Sequence, residues 1–274
     1  YDHFWVFDHF RPGPPGSAYS CFEAMTTLAA LAAQTERIRL GTLVLGACHR
    51  QVGMLALQAA TIDHISGGRL ELGLGAGGED GAHTEWGLPF PDLSHRLAAL
   101  DESCSALRGL WSGEPVNQEG SGLRLRDARL APTPVQAHIP VVIGGTGARV
   151  LLRIVAEHAD VWNCFAGSVE AYRELRGTLD RHCEAIGRDP STVRGSIVVR
   201  AILRETEQEA LDVAATTGAA GHIVGTPAQC VEHLIPFIEA GVGDILIAMR
   251  PPYDRETLTR FSTDVAAVLR QAQL

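Results

Sequence analysis

The chain has 274 residues, 46% hydrophobic and 20% charged, with a net charge of −9. That composition supports a large core and excludes a disordered chain, and without a basic run it excludes a nucleic-acid groove. Gly, Thr or a charge interrupts every apolar stretch short of a membrane span, so neither nucleic acid nor membrane is an expected partner.

Six scattered cysteines without a C-x-x-C pair read as small buried side chains of a reducing compartment. With no signal peptide expected, the anticipated location is cytoplasmic. Lysine is absent and all 23 basic residues are arginine, which excludes a Schiff-base lysine and a P-loop lysine. Any phosphate must be held by backbone N–H groups, hydroxyls or arginine.

In chain order, the first strand is predicted at His3–Phe7, ending in Asp8 and His9 before a Pro- and Gly-rich stretch. A helix is expected over Ala18–Gln34, a strand over Ile38–Leu45, a helix over Val52–Ile65 that stops at Ser66-Gly67-Gly68, and a strand over Leu70–Leu74. An amphipathic helix follows over Leu93–Trp111. Residues 112–136 carry Gly113, Pro115, Gly120, Gly122, Pro132 and Pro134 around two short strand-like runs, Val116–Glu119 and Leu123–Arg126, which predicts an inserted hairpin. Later strands fit Val141–Ile143, Val161–Asn163, Ser196–Leu203 and Asp244–Ala248. Later helices fit Ala148–Ala159, Val169–Ile186, Glu205–Thr217, Pro227–Ala240 and Arg255–Leu269.

Strand and helix thus alternate throughout, which implies parallel strands with covering helices. Seven strands are counted in one domain over residues 1–274. Because the chain opens inside a strand, an eighth βα unit is expected before Tyr1. Eight units make a TIM barrel; a doubly wound open sheet is the rival.

Four strand exits carry candidate chemistry, since α/β barrels place their sites at the C-terminal ends of strands. The first is Asp8-His9. The second is Gly46-Ala47-Cys48, followed by His49 and Arg50, which would face the same mouth. The third, Gly73-Leu74-Gly75-Ala76-Gly77-Gly78, formally matches G-x-G-x-x-G. No clear helix opens after it, so it reads as a Gly-rich loop that lets a planar ligand approach the backbone rather than as a dinucleotide fingerprint. Ile143-Gly144-Gly145-Thr146-Gly147-Ala148-Arg149 is a strand-to-helix turn suited to phosphate: backbone N–H groups at a helix start, a hydroxyl from Thr146 and a charge from Arg149. The histidines form no convincing metal spacing and no G-x-S-x-G elbow is present, so neither a metal site nor serine hydrolase chemistry is expected.

Together these segments resemble the bacterial luciferase-like monooxygenase superfamily, and within it the deazaflavin (coenzyme F420)-dependent oxidoreductases. The resemblance rests on Phe7-Asp8-His9-Phe10, Ile38–Val44, Ala60–Gly77, Ile143-Gly144-Gly145, Ala159-Asp160-Val161-Trp162-Asn163 and Ile223-Val224-Gly225-Thr226-Pro227. It implies a TIM barrel with an insertion, a cofactor at the barrel mouth, a small-molecule substrate and a homodimer. It implies that Asp8 and His9 contact the cofactor and handle a proton. A non-proline cis bond maps to Gly46-Ala47, the loop Ala76–Glu79 borders the ring and substrate, Cys48 and Gly75 also line the cofactor, and Gly144, Gly145, Thr146, Gly147 and Arg149 take the cofactor phosphate.

The chain departs from its relatives in two places. Some have an acid directly after the fourth-strand glycines, where Gly78 stands here, with Glu79 next as the candidate proton donor. Many read Tyr-Arg-His-Pro after the third strand, where this chain has His49-Arg50-Gln51-Val52. The expected chemistry is hydride transfer at the deazaflavin, with His9 as acid/base and an apolar wall of Val6, Leu45 and Trp162. The alternatives are an FMN-dependent monooxygenase of the same superfamily and a ligand-binding paralogue without turnover.

Overall fold

Short apolar strands separated by helices leave each strand with two faces to bury, and the chain meets that demand with parallel ladders. The computed structural model describes residues 1–10, 21–78, 82–165, 167–217 and 223–272. The chain divides into two compact units. One comprises Tyr1–Trp162 with His182–Val193, the other Asn163–Arg181 with Arg194–Leu274.

In the first unit the elements run β1 (His3–Val6), α1 (Ala24–Gln34), β2 (Arg39–Thr42), β3 (Leu45–Gly46), α2 (Val52–Ser66), β4 (Leu70–Gly75), α3 (Ala82–Glu85), α4 (Leu93–Trp111), β5 (Val116–Glu119), β6 (Arg124–Ala128), β7 (Val141–Gly144) and α5 (Leu151–His158). Next comes β8 (Val161–Cys164), which leads into the second unit. The strand order is β1-β2-β4-β7-β8, with β3 also on β4. Every register given for the strands of this sheet is parallel: Val6 lies against Thr42, Leu40 against Leu70, Gly46 against Gly75, and Leu72 against Val141. The core is aliphatic. Leu40, Leu45, Leu70, Leu72, Leu74 and Ile143 are fully buried or nearly so, each contributing roughly 1.5–3 kcal/mol of transfer free energy.

The inserted hairpin forms as expected, with β5 antiparallel to β6. Glu102 of α4 holds its tip by accepting from the Ser121 amide and hydroxyl. Helix α2 ends at Gly67 in the left-handed region, φ 65°, where glycine carries no Cβ penalty.

In the second unit α6 (Val169–Ala185, its last turn belonging to the first unit) precedes β9 (Arg194–Val199), β10 (Ala201–Leu203), α7 (Glu207–Thr217), β11 (Ile223–Gly225), α8 (Pro227–Glu239), β12 (Val242–Ile247), α9 (Arg255–Arg260) and α10 (Ala266–Ala272). Strand β9 pairs in parallel with β12, and β10 with β11. Helix α8 opens on the Thr226/Gln229 capping box, in which each side chain satisfies a backbone N–H at the other residue.

Three details differ from the sequence expectation. The strand expected over Ile38–Leu45 is two strands, broken between Thr42 and Leu45. The strand expected over Ser196–Leu203 breaks at Arg200, and its second half finds a partner, β11, that the sequence pattern did not single out. Among the described residues no helix is long and apolar enough to cross a membrane.

Candidate functional site

The C-terminal ends of β1, β3, β4 and β7 carry the candidate residues, all within the first unit. Asp8, two residues past β1, is 7% exposed. Its carboxylate does not pair with His9. It accepts from Arg50 through both oxygens, Nη1 to Oδ2 at 2.7 Å and Nη2 to Oδ1 at 2.7 Å, and from His49 Nδ1 to Oδ2 at 2.9 Å. Burial opposes ionisation, yet the hydrogen bonds and charges of Arg50 and His49 overrule it and hold the carboxyl far below the usual range. Asp8 is therefore a fixed anion, and acts on its surroundings through the two side chains it clasps. Arg50 also donates to Glu23, whose side chain caps α1 by accepting from the amides of Met25 and Thr26.

His9 points elsewhere. The residue is exposed, its ring lies 5.9 Å from Phe7, and its carbonyl accepts from the Cys21 thiol at 2.6 Å. The imidazole built into the cluster is that of His49, with a side chain 6% exposed. Because ionised Asp8 only accepts, Nδ1 carries a proton, and in the neutral ring Nε2 offers a lone pair. Nε2 is buried and has no hydrogen-bond partner among the described residues. The ring rests against Gly46, where an added Cβ would stand 2.5 Å from Nε2, and near Gly77, where the corresponding distance is 3.8 Å. Phe10 and His83 flank it, with ring centroids at 4.7 and 5.0 Å.

Beside this ring two glycines make room for a single side chain, that of Val44. A Cβ on Gly75 would lie 2.7 Å from Val44 Cγ2, and one on Gly144 3.3 Å from Val44 Cγ1. Val44 thus occupies the space between two strand exits that glycine leaves open. Among the described residues the non-proline cis peptide is Leu43–Val44, which corrects the expectation of Gly46-Ala47. Those two residues continue the ladder instead: Gly46 pairs with Gly75, and the Ala47 amide donates to the Gly75 carbonyl at 2.9 Å. Cys48 is half-buried, and burial pushes its thiol up although Arg96 pulls the other way.

Beyond β4, Gly77 adopts φ 77° and Gly78 has open space where a side chain would be. Arg96 of α4 fastens this loop, donating from Nε to the Ala76 carbonyl at 3.1 Å and from Nη1 to the Pro91 carbonyl at 2.7 Å while lying over the Phe90 ring. The sequence placed Arg96 on the polar face of its helix, and the missed signal was Asp92. Its carboxylate caps α4 at the His95 amide and so fixes where the first turns begin. Glu79, the candidate proton donor, lies outside the described residues.

At the next exit the Trp162 indole donates to the Gly145 carbonyl at 2.9 Å. Helix α5 starts at Leu151, three residues later than expected. Thr146, Gly147 and Arg149 are exposed ahead of it, and Val150 supplies no side-chain cap. Elsewhere in this unit Asp101, Glu157 and His158 bring ligand-type atoms within 4.8 Å of one another. Arg153 donates to both acids and His158 to Asp101, so that cluster is an ion-pair network.

Residues 1–222 match the family model described as luciferase-like monooxygenase. An F420-dependent glucose-6-phosphate dehydrogenase of Amycolatopsis mediterranei is 27% identical over 304 aligned positions, covering 98% of this chain and 90% of that protein. Among solved structures, an F420-dependent secondary alcohol dehydrogenase in complex with an F420-acetone adduct superposes with a TM-score of 0.85 at 18% identity, covering 98% and 90% of the two chains. The monooxygenase RslO1 from Streptomyces bottropensis gives 0.80 at 21% identity, covering 98% and 89%. At those identities the structures speak to the fold alone, which is the α/β barrel class expected from the sequence.

Proposed function

Because the chain belongs to the luciferase-like monooxygenase family, we propose that it is an oxidoreductase that uses the deazaflavin coenzyme F420 and moves a hydride to or from a small organic substrate. The observation that carries this is the bare backbone of the loop beyond β4, where Gly77 takes φ 77° and Gly78 meets nothing among the described residues where a side chain would stand, next to Val44, which fills the space left by Gly75 and Gly144. A flat heterocycle fits such a surface, because only glycine lets a ring lie directly on backbone. The exposed Gly145–Arg149 turn ahead of uncapped α5 suits the coenzyme's phosphate, offering backbone N–H groups, the Thr146 hydroxyl and the Arg149 guanidinium.

When bound, the deazaflavin supplies the hydride chemistry. The chain supplies the rest. Buried Leu45 and Trp162 keep water from the inner wall. Arg96 holds the Ala76 carbonyl and thereby the loop that borders the ring. Asp8 anchors Arg50 and His49, and exposed His9 is proposed as a contact to coenzyme or substrate.

Titration of the protein with deazaflavin and with FMN, followed by fluorescence and absorbance, tests this. Saturable deazaflavin binding with weak FMN binding is the expected outcome. Tight FMN binding without deazaflavin affinity would instead favour the monooxygenase chemistry found on the same fold. No binding of either would point to a paralogue without turnover.

A further inference from the structure

We propose that His49 is the proton-transfer residue of this site, that Asp8 and Arg50 are its positioning residues, and that the substrate it serves is an uncharged carbinol or the matching carbonyl compound. This inference rests on the deazaflavin reading above and deepens it.

Three observations converge. First, the imidazole is oriented by a carboxylate that has no freedom of its own. Both Asp8 oxygens are engaged by Arg50 and one also by His49, so the ring is locked as the tautomer with Nδ1–H toward Asp8. Second, Nε2 is left buried and without a partner among the described residues. A buried polar atom without a partner costs about 1–3 kcal/mol, so it needs an explanation such as a ligand group. Third, Nε2 faces the ends of β3 and β4, against Gly46 and near Gly77, next to the loop where Gly78 leaves backbone bare among the described residues.

The surroundings set the class of substrate. A neutral Nε2 accepts one hydrogen bond, which asks for a hydroxyl. The rings around it are Phe10 and His83, with Phe90 and Trp86 beyond. The two guanidiniums that touch this cluster are already engaged, Arg50 by Asp8 and Glu23, Arg96 by two carbonyls and the Phe90 ring. Nothing among the described residues of the cluster offers a free cation to a substrate phosphate. Among the described residues the titratable and charged groups facing His49 are Asp8, Arg50 and His83, with Glu23 behind Arg50 and Cys48 directly before His49 in the chain.

In the oxidative direction the carbinol C–H bond breaks with its electron pair, which passes as hydride to oxidised deazaflavin and reduces it. The O–H bond breaks, its proton moves to His49 Nε2, and the C=O bond forms in the oxidised product. The imidazolium then releases its proton to water. In the reductive direction each transfer reverses, and Nε2–H donates to the carbonyl oxygen.

The test combines protein-only and turnover measurements. Nitrogen-15 NMR of histidine-labelled protein, with His49→Gln used to assign the signal, reports the tautomer without coenzyme. A protonated Nδ1 with a bare Nε2 is expected, and the opposite tautomer would overturn the proposal. His49→Gln and His49→Tyr should still bind deazaflavin but lose ~10²-fold or more in carbinol oxidation. The pH profile of that oxidation should also change shape in both. Wild-type rate and profile in both variants would remove His49 from the chemistry. A preference of tenfold or more for phosphorylated over uncharged carbinols would overturn the substrate class. Absence of deazaflavin binding by the wild type would instead sink the coenzyme reading, and the mechanism with it. The NMR result still reports on His49, so the two failures are distinguishable.

Discussion

The two ends of the parallel sheet in the first unit carry nearly the same set of buried charges and treat them differently. At the C-terminal ends Asp8 binds one arginine and one histidine, Arg50 and His49. At the N-terminal ends Glu71, 3% exposed, also binds one of each, Arg39 Nε at 2.5 Å and His3 Nε2 at 3.2 Å. In the Glu71 cluster the bare atom is the carboxylate Oε2, while Arg39 reaches on to Gln136, which Asp63 holds from its other side. In the Asp8 cluster the carboxylate is saturated and the bare atom belongs to the imidazole. A saturated anion with an open base is arranged for proton transfer; a cation network tied into neighbouring strands and loops is arranged for cohesion. The lesson is that residue type does not assign a role in this fold. Strand polarity does, because barrel chemistry gathers at the C-terminal ends.

Substitutions can break that contrast, and the largest effect is expected at Asp8. Asp8→Ala leaves Arg50 and His49 without their anion, so it should cost about 3–5 kcal/mol of stability and abolish most turnover, as read by urea melts and steady-state rates. Stability within experimental error of wild type would mean the clasp is not a structural element at all. Glu71→Gln should separate the two ends. It keeps an acceptor for Arg39 but removes the charge, so a loss of about 2–3 kcal/mol is expected, with deazaflavin affinity and kcat unchanged. A fall in kcat at full coenzyme occupancy would erase the functional distinction.

Gly46→Ala is a finer probe. Its methyl would press on Nε2 and Cε1 of His49, displacing the ring at a cost of about 1 kcal/mol for the hydrogen bond to Asp8. Turnover should fall about tenfold, the factor 1.4 kcal/mol would give, with the melting transition lowered by only about 2–4 °C. An unchanged rate would show that ring placement is not critical.

The smallest effect is on acid stability. Against the cost of burial, hydrogen bonds and nearby cations lower the carboxyls of both Asp8 and Glu71. The unfolded chain therefore binds more protons in the window below the ordinary carboxylate range. Each group contributes its stability in full above that range and loses it as pH falls toward its lowered folded value. Between about pH 5 and pH 3 the wild type should lose stability more steeply than Glu71→Gln. Parallel slopes in urea melts would exclude Glu71 from the acid response.

Alternating apolar runs and turn residues were enough to read parallel strands, covering helices and the inserted hairpin from the sequence, because burial periodicity and glycine or proline geometry are local properties. The glycine-rich exits and the candidacy of Asp8 were legible for the same reason: residues at the end of a strand announce their position. Which partner Asp8 takes was not. His9 is its neighbour in sequence, but successive residues leaving a strand diverge, whereas His49 and Arg50 arrive from another strand exit forty-one and forty-two positions away. The placement of Val44 between Gly75 and Gly144, the hold of Arg96 on Ala76 and the bare Nε2 are likewise products of register between strands and helices. The sequence determined what each segment would become. Only the packing of one segment on another decided which imidazole carries the open nitrogen, since that depends on distances no stretch of chain contains by itself.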